Sequence, residues 1–130
     1  MFEAKNRKDD ASLFLRVGGE PFFVDLVDRF YQRVVEDDVL RPLYPDDLNP
    51  GKANLAAFLA QYWGGPPTYS DTRGHPRLRM RHASFLIGME ERNAWVKHMV
   101  NAVGESDIGD KDKVLLTDYF TMAASSLVNR

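Results

Sequence analysis

The chain has no cysteine, which excludes disulfides, iron–sulfur clusters and thiol catalysis. No stretch approaches the roughly 18 uninterrupted apolar residues of a membrane span. The N-terminal residues Glu3-Ala4-Lys5-Asn6-Arg7-Lys8-Asp9-Asp10 are of mixed charge and lack a signal-peptide apolar region, so a cytoplasmic protein is expected. There is no excess of positive charge: 17 Lys and Arg face 19 Asp and Glu, for a formal net charge of −2. That balance argues against nucleic-acid binding, which favours a basic footprint. GxSxG, P-loop, GxGxxG and HExxH motifs are all missing. So are alternating strand patterns and internal repeats.

What remains is a helical chain. Its 130 residues make one domain, 44% hydrophobic and 12% aromatic. Residues 1–11 read as a polar extension and 12–130 as the folded domain. Ser12 is placed to cap a short helix, Leu13–Val17, stopped by Gly18-Gly19. Glu20-Pro21 opens a long helix carrying Phe22, Phe23, Leu26, Val27, Phe30, Tyr31 and Val34 at a 3.6-residue period. Glu36-Asp37-Asp38 ends that face. Arg41–Pro50 is a proline-rich turn region with Tyr44 inside it. The spacing predicts a second helix over about 51–63, with Leu55, Phe58, Leu59 and Tyr62 on its stripe, halted by Gly64-Gly65-Pro66-Pro67. A loop is expected to run from there to Gly74. Two further helices are expected over 90–103, with Trp95, Met99, Ala102 and Val103 on one face, and over 110–128, with Leu116, Phe120, Ala123 and Leu127. The fold class is all-α, and the long connections favour crossed helix packing.

The stretch Arg73–His82 concentrates the unusual chemistry, with two of the three histidines and four arginines. Gly74 and Pro76 place His75 in a loop or helix start. Leu78, His82, Phe85 and Met89 recur at helical spacing, which puts His82 on the apolar stripe of a short helix ending near Gly88. An imidazole there is either a satisfied core histidine or a metal ligand. Arg77, Arg79 and Arg81 form a solvated basic surface or pair with an anionic cofactor group. Tyr31, Tyr44 and Trp95 each have a plain packing role available. Together they would set three hydrogen-bond donors around one cavity, opposite a histidine. His98, three residues after Trp95, faces solvent or a helix neighbour.

From Val17 onward these residues resemble the truncated haemoglobins of group II, and most of all their bacterial oxygen-binding branch, the truncated haemoglobin O type. Val17-Gly18-Gly19 is similar to the glycine pair before the family's long distal helix. Phe30-Tyr31 resembles the distal Phe-Tyr pair, Leu43-Tyr44-Pro45 the turn with the branch's tyrosine, and Gln61-Tyr62-Trp63-Gly64-Gly65-Pro66 the second glycine motif. Arg73 to His82 with Ala83-Ser84-Phe85 resembles the proximal segment, and Glu91-Arg92-Asn93-Ala94-Trp95 the tryptophan typical of groups II and III.

The resemblance implies a globin-like, truncated two-over-two helical sandwich around haem b, with His82 rather than His75 as the iron ligand. It implies O2, CO and other small diatomic ligands at a five-coordinate iron, next to Tyr31, Tyr44 and Trp95. Gly51 falls where many globins carry a distal histidine, and Asn54 where some relatives carry a basic residue near a haem carboxylate. That departure shifts the expected propionate partner to Arg81. Phe30, Leu55, Phe58, Leu86 and Met99 are the expected apolar haem contacts. Nitric oxide or peroxide redox chemistry, a reductase that restores ferrous iron, and a homo-oligomer are compatible with this reading. Whether the chain is an enzyme stays open. A peroxidase-like enzyme and a cofactor-free helical interaction module with a merely buried His82 are the competing functions.

Overall fold

Glycine and proline set the ends of the helices. In the computed structural model, residues 13–74, 76, 77, 80, 82 and 85–130 are described. The polar extension, Ser12, His75, Leu78, Arg79, Arg81, Ala83 and Ser84 lie outside them. A helical turn covers 13–16. Then come α1 (Glu20–Val34), a 3-10 turn (Arg41–Leu43), α2 (Asn49–Tyr62), α3 (Thr68–Arg73), α4 (Met89–Gly104) and α5 (Asp110–Ser126). No strand occurs among the described residues. The chain forms two compact units, one of residues up to Asp28 with Asp47–Pro76, the other of Arg29–Asp46 with Arg77–Arg130.

The first unit is organised around Phe14. The turn at 13–16 ends in a Schellman motif: Gly18 N–H donates to the Leu15 carbonyl and Gly19 N–H to that of Phe14. The end of α2 repeats it, with Gly64 N–H on Gln61 and Gly65 N–H on Ala60. Gly18 and Gly64 take the required positive φ, 100° and 108°. Phe14 stacks on Phe23 with ring centroids 6.2 Å apart, and its N–H donates to the Trp63 carbonyl at 3.0 Å. Leu13, Phe23, Leu26, Leu59 and Trp63 are fully buried here.

Two expectations shift in this unit. The second helix begins at Asn49, not near Gly51, because Pro50 fits a first-turn position and Asp47 Oδ1 accepts the Asn49 N–H at 3.1 Å. The expected loop from 64 to 74 contains α3. The Gln61 side chain pins that helix by accepting from Ser70 N–H at 2.9 Å and donating to Ser70 Oγ at 2.7 Å. Thr72 Oγ1 adds bonds to the carbonyls of Thr68 and Tyr69. Side-chain bonds of this kind have no periodic signature.

In the second unit α4 and α5 pack together. Phe30, Val34, Leu40, Met99, Ala102, Val103, Leu116 and Phe120 are buried, so the stripes expected on α1, α4 and α5 face a core. Arg29 and Arg33 pair with Glu105 just beyond α4, an exposed arrangement of small energetic weight. The stripe through His82 is shorter than its spacing predicts. Phe85 closes a turn onto the His82 carbonyl at 3.0 Å instead of continuing a helix, and Met89 opens α4. Gly88, extended at φ −103°, separates the two, and its N–H donates to Glu91 Oε1 at 2.8 Å as part of the α4 cap.

A β-carbon on Gly65 would lie 2.5 Å from Phe14 Cε1 and 2.8 Å from the Ala60 carbonyl oxygen. Gly65→Ala should therefore destabilise the fold by about 1–3 kcal/mol. Urea unfolding checks this, and an unchanged midpoint would mean that Phe14 moves aside freely.

Candidate functional site

The second half of α1 carries Phe30 and Tyr31, the connection after the 3-10 turn carries Tyr44, and the first turns of α4 carry Trp95. The structure brings these four together. Tyr44 meets Tyr31 edge-on at 5.6 Å between centroids, Tyr31 meets Phe30 at 5.5 Å, and Phe30 meets Trp95 at 5.3 Å. The Trp95 indole lies beside the Tyr44 hydroxyl, close enough to lower the cost of a charge on it. Phe120 backs Trp95 at 5.8 Å. Edge-to-face contacts in this range add roughly 0.5–1.5 kcal/mol each beyond area burial.

This wall is apolar enough to disfavour charge. Burial pushes the Tyr44 phenol far above its ordinary value. Repulsion from Tyr31 adds to the rise, and the neighbouring Trp95 indole opposes it. Burial likewise raises Tyr31. Tyr44 is half-buried as a whole residue, and it is the hydroxyl end that lies deep. Both phenols are thus held as neutral O–H groups that can donate as well as accept.

His82 is half-buried and helical, with its ring 6.3 Å from that of Phe85. Leu86 is 66% exposed beside it and Met99 is fully buried on α4. The backbone after His82 is secured from beyond α5. Asn129 Oδ1 accepts from Ile87 N–H at 2.8 Å, its Nδ2 donates to the Phe85 carbonyl at 2.8 Å, and its own N–H donates to the Ile87 carbonyl at 2.7 Å. Leu55 and Phe58 lie on α2 in the first unit, where Phe58 packs against Tyr62 and Tyr69. Arg81, the expected propionate partner, lies outside the described residues.

Reading the residues alone misses Asn129, Arg41 and Asp37. An Asp followed by two residues whose amides it can accept is a legible turn signal, but nothing local reveals what else Asp37 holds. His98 faces a neighbour, not solvent: its Nε2 meets Asp37 Oδ2 at 2.5 Å.

The chain belongs to the bacterial-like globin family, whose pattern matches residues 12–129. It is similar to the group 2 truncated haemoglobin YjbI of Bacillus subtilis, 37% identical over 112 residues, 86% of this chain and 85% of the relative. Its fold is that of solved truncated globins. The haemoglobin of the thermophilic phototroph Chloroflexus aurantiacus matches with a TM-score of 0.89 at 49% identity, covering 91% of this chain and 98% of the other. A truncated oxygen-avid haemoglobin from Bacillus subtilis matches at 0.85 and 35%, covering 90% and 98%.

Family membership implies haem and small gaseous ligands, and the residues fit that group. Among the described residues no cluster of three or more His, Cys, Asp or Glu side chains could hold a bare ion. The half-buried His82 imidazole, with the Phe85 ring 6.3 Å away, is a donor that suits a metal arriving in its own ring of ligands. None of the described helices is long and apolar enough to cross a membrane.

The raised phenols carry a pH dependence. Unfolded tyrosines ionise near pH 10.0, while folded Tyr44 keeps its proton, so the unfolded state binds fewer protons above that pH. Stability from this source is complete below about pH 10 and is lost as pH rises further. Urea midpoints from about pH 9 to about pH 11 should fall more steeply for the native protein than for Tyr44→Phe. Parallel slopes would show that Tyr44 ionises as it does in the unfolded chain.

Proposed function

We propose that residues 12–130 form one globin domain, preceded by a polar extension, that binds haem b through His82 and holds O2 and other diatomic ligands beside Tyr31, Tyr44 and Trp95. The observation that carries this reading is the aromatic group of Tyr44, Tyr31, Phe30 and Trp95. It gathers O–H and N–H donors in an apolar wall, and α2 carries no histidine. When bound, haem supplies an iron with one position for an imidazole and one for a small ligand. His82 would give one ring nitrogen to that metal and keep the other N–H as a donor. Tyr44 and Trp95 would donate to the ligand, with Tyr31 supporting them. Phe30, Leu55, Phe58, Leu86 and Met99 would line the macrocycle, and Arg81 would pair with a propionate at modest gain.

These donors would favour a ligand that carries partial negative charge, such as O2, over one that carries less, such as CO. The oxygen avidity of the related Bacillus subtilis protein is consistent with such a pocket. Nitric oxide or peroxide chemistry would use the same donors and would need a reductase. A cytoplasmic setting supplies reductants, and a homo-oligomer would leave this reading unchanged.

His82→Ala should lose stable haem, seen as loss of the Soret band, or need added imidazole to regain it, while His75→Ala keeps it. The reverse pattern would sink the assignment. Trp95→Phe removes an N–H and keeps a ring. A hydrogen bond to a partly charged acceptor is worth roughly 1.5–3 kcal/mol, and about 1.4 kcal/mol is tenfold. O2 release by stopped flow should therefore quicken about ten- to a hundredfold, and CO release less. If O2 leaves no faster, Trp95 is only a packing residue.

A further inference from the structure

His98 lies one turn beyond Trp95 on α4, about 4.5 Å further along the helix axis. Its Nε2 donates to Asp37 Oδ2, and its Nδ1 is buried with no hydrogen-bond partner among the described residues. With the hydrogen on Nε2, only a lone pair sits at Nδ1 and no donor is left unmet. The other oxygen of Asp37 accepts from Val39 N–H at 2.7 Å and Leu40 N–H at 3.1 Å. The Asp37 carbonyl accepts from Arg41 N–H at 2.8 Å. Arg41 Nη1 then donates to the carbonyls of Tyr44 and Pro45, at 3.2 and 3.1 Å. Thus α4 holds the connection that carries Tyr44 through His98 on Asp37, and hydrogen bonds lead from there through Arg41 to the Tyr44 carbonyl. At its other end the connection sets the Tyr44 hydroxyl beside the Trp95 indole.

We propose that His98 is a positioning residue for the ligand-binding donors: its bond to Asp37, relayed through Arg41, sets the Tyr44 hydroxyl where the Trp95 indole N–H meets it. The connection needs such a brace because it holds two prolines, Pro42 and Pro45, and one short 3-10 turn with no side-chain cap of its own. The brace is shielded, with His98 and Asp37 side chains 12% and 17% exposed, so salt screens it less than a surface pair. The hydrogen bond from His98, with the two backbone amides, holds the Asp37 carboxyl below the usual carboxylate range. The effect on ligand release rests on the function proposed above, whereas the placement of the hydroxyl can be read without it.

The readout is the Trp95 indole proton in the NMR spectrum of the CO-bound ferrous holoprotein, assigned by its absence in Trp95→Phe. His98→Leu should shift this proton and speed its exchange with solvent about tenfold, leaving the Trp63 indole unmoved. His98→Gln keeps an N–H donor for Asp37 and should restore the native signal. Asp37→Ser keeps an oxygen for the Val39 and Leu40 amides but withdraws from His98, so it should reproduce His98→Leu. It carries the test alone if His98→Leu does not fold. An unchanged Trp95 proton in either folded variant overturns the proposal. O2 release should quicken in His98→Leu but change less than about twofold when the same substitution is made in Tyr44→Phe. Equal acceleration in both backgrounds overturns it as well. A Trp95→Phe protein with native O2 release removes the function proposed above, and the indole measurement still decides what His98 does.

Discussion

A hydroxyl and an indole N–H placed inside an aromatic wall must be satisfied, because a buried polar group left without a partner costs about 1–3 kcal/mol. The Tyr44 hydroxyl and the Trp95 indole lie side by side, and the indole offsets part of the cost of burial at that hydroxyl. Their nearness links a short proline-bounded connection to a long helix, elements with little regular structure in common. The surrounding rings of Phe30, Tyr31 and Phe120 pack at centroid distances of 5.3–5.8 Å. Moving either polar tip would therefore disturb several aromatic contacts as well as the polar one. Close packing turns a single polar contact into a fixed arrangement.

The parts of this arrangement that repeat in sequence were legible in it. The stripe of α1 announced Phe30 and Tyr31 through a strict helical period, and both are buried. The two glycine pairs announced helix ends, because a positive φ at Gly18 and Gly64 leaves little alternative to glycine. The family resemblance, carried by those same motifs, pointed to Tyr44 and Trp95. What escaped was held by side chains reaching across gaps in the chain. The helix α3 depends on Gln61, nine residues before Ser70. The end of the His82 segment depends on Asn129, 42 residues after Ile87. His98 and Asp37 are 61 residues apart. Periodicity reports which face of a helix is apolar, and it is silent on a polar atom that finds a distant partner.

The segment after His82 and the connection that carries Tyr44 are secured in a similar way. The backbone after His82 is tied by three bonds to one residue, Asn129, one from its main-chain N–H and two from its side-chain amide. The Tyr44 connection is tied through the side chains of Asp37 and Arg41, each making several bonds. In both, a polar side chain holds main-chain groups. The held positions tolerate most substitutions, whereas Asn129, Asp37 and Arg41 are the residues whose replacement alters the tie.

Under the function proposed above, the nearness of Tyr44 and Trp95 would bound what a ligand gains there. An indole has one N–H, and it lies beside the Tyr44 hydroxyl. A diatomic ligand would compete with these groups for one another, so its stabilisation would be a difference between two networks and not a sum of new bonds. The difference would still favour a ligand with partial negative charge, because charge-assisted bonds are about twice as strong as neutral ones. It would favour a nearly neutral ligand such as CO far less. Discrimination between diatomics would therefore survive any pairing of the donors, since pairing subtracts the same amount from every ligand and leaves the charge-dependent part intact.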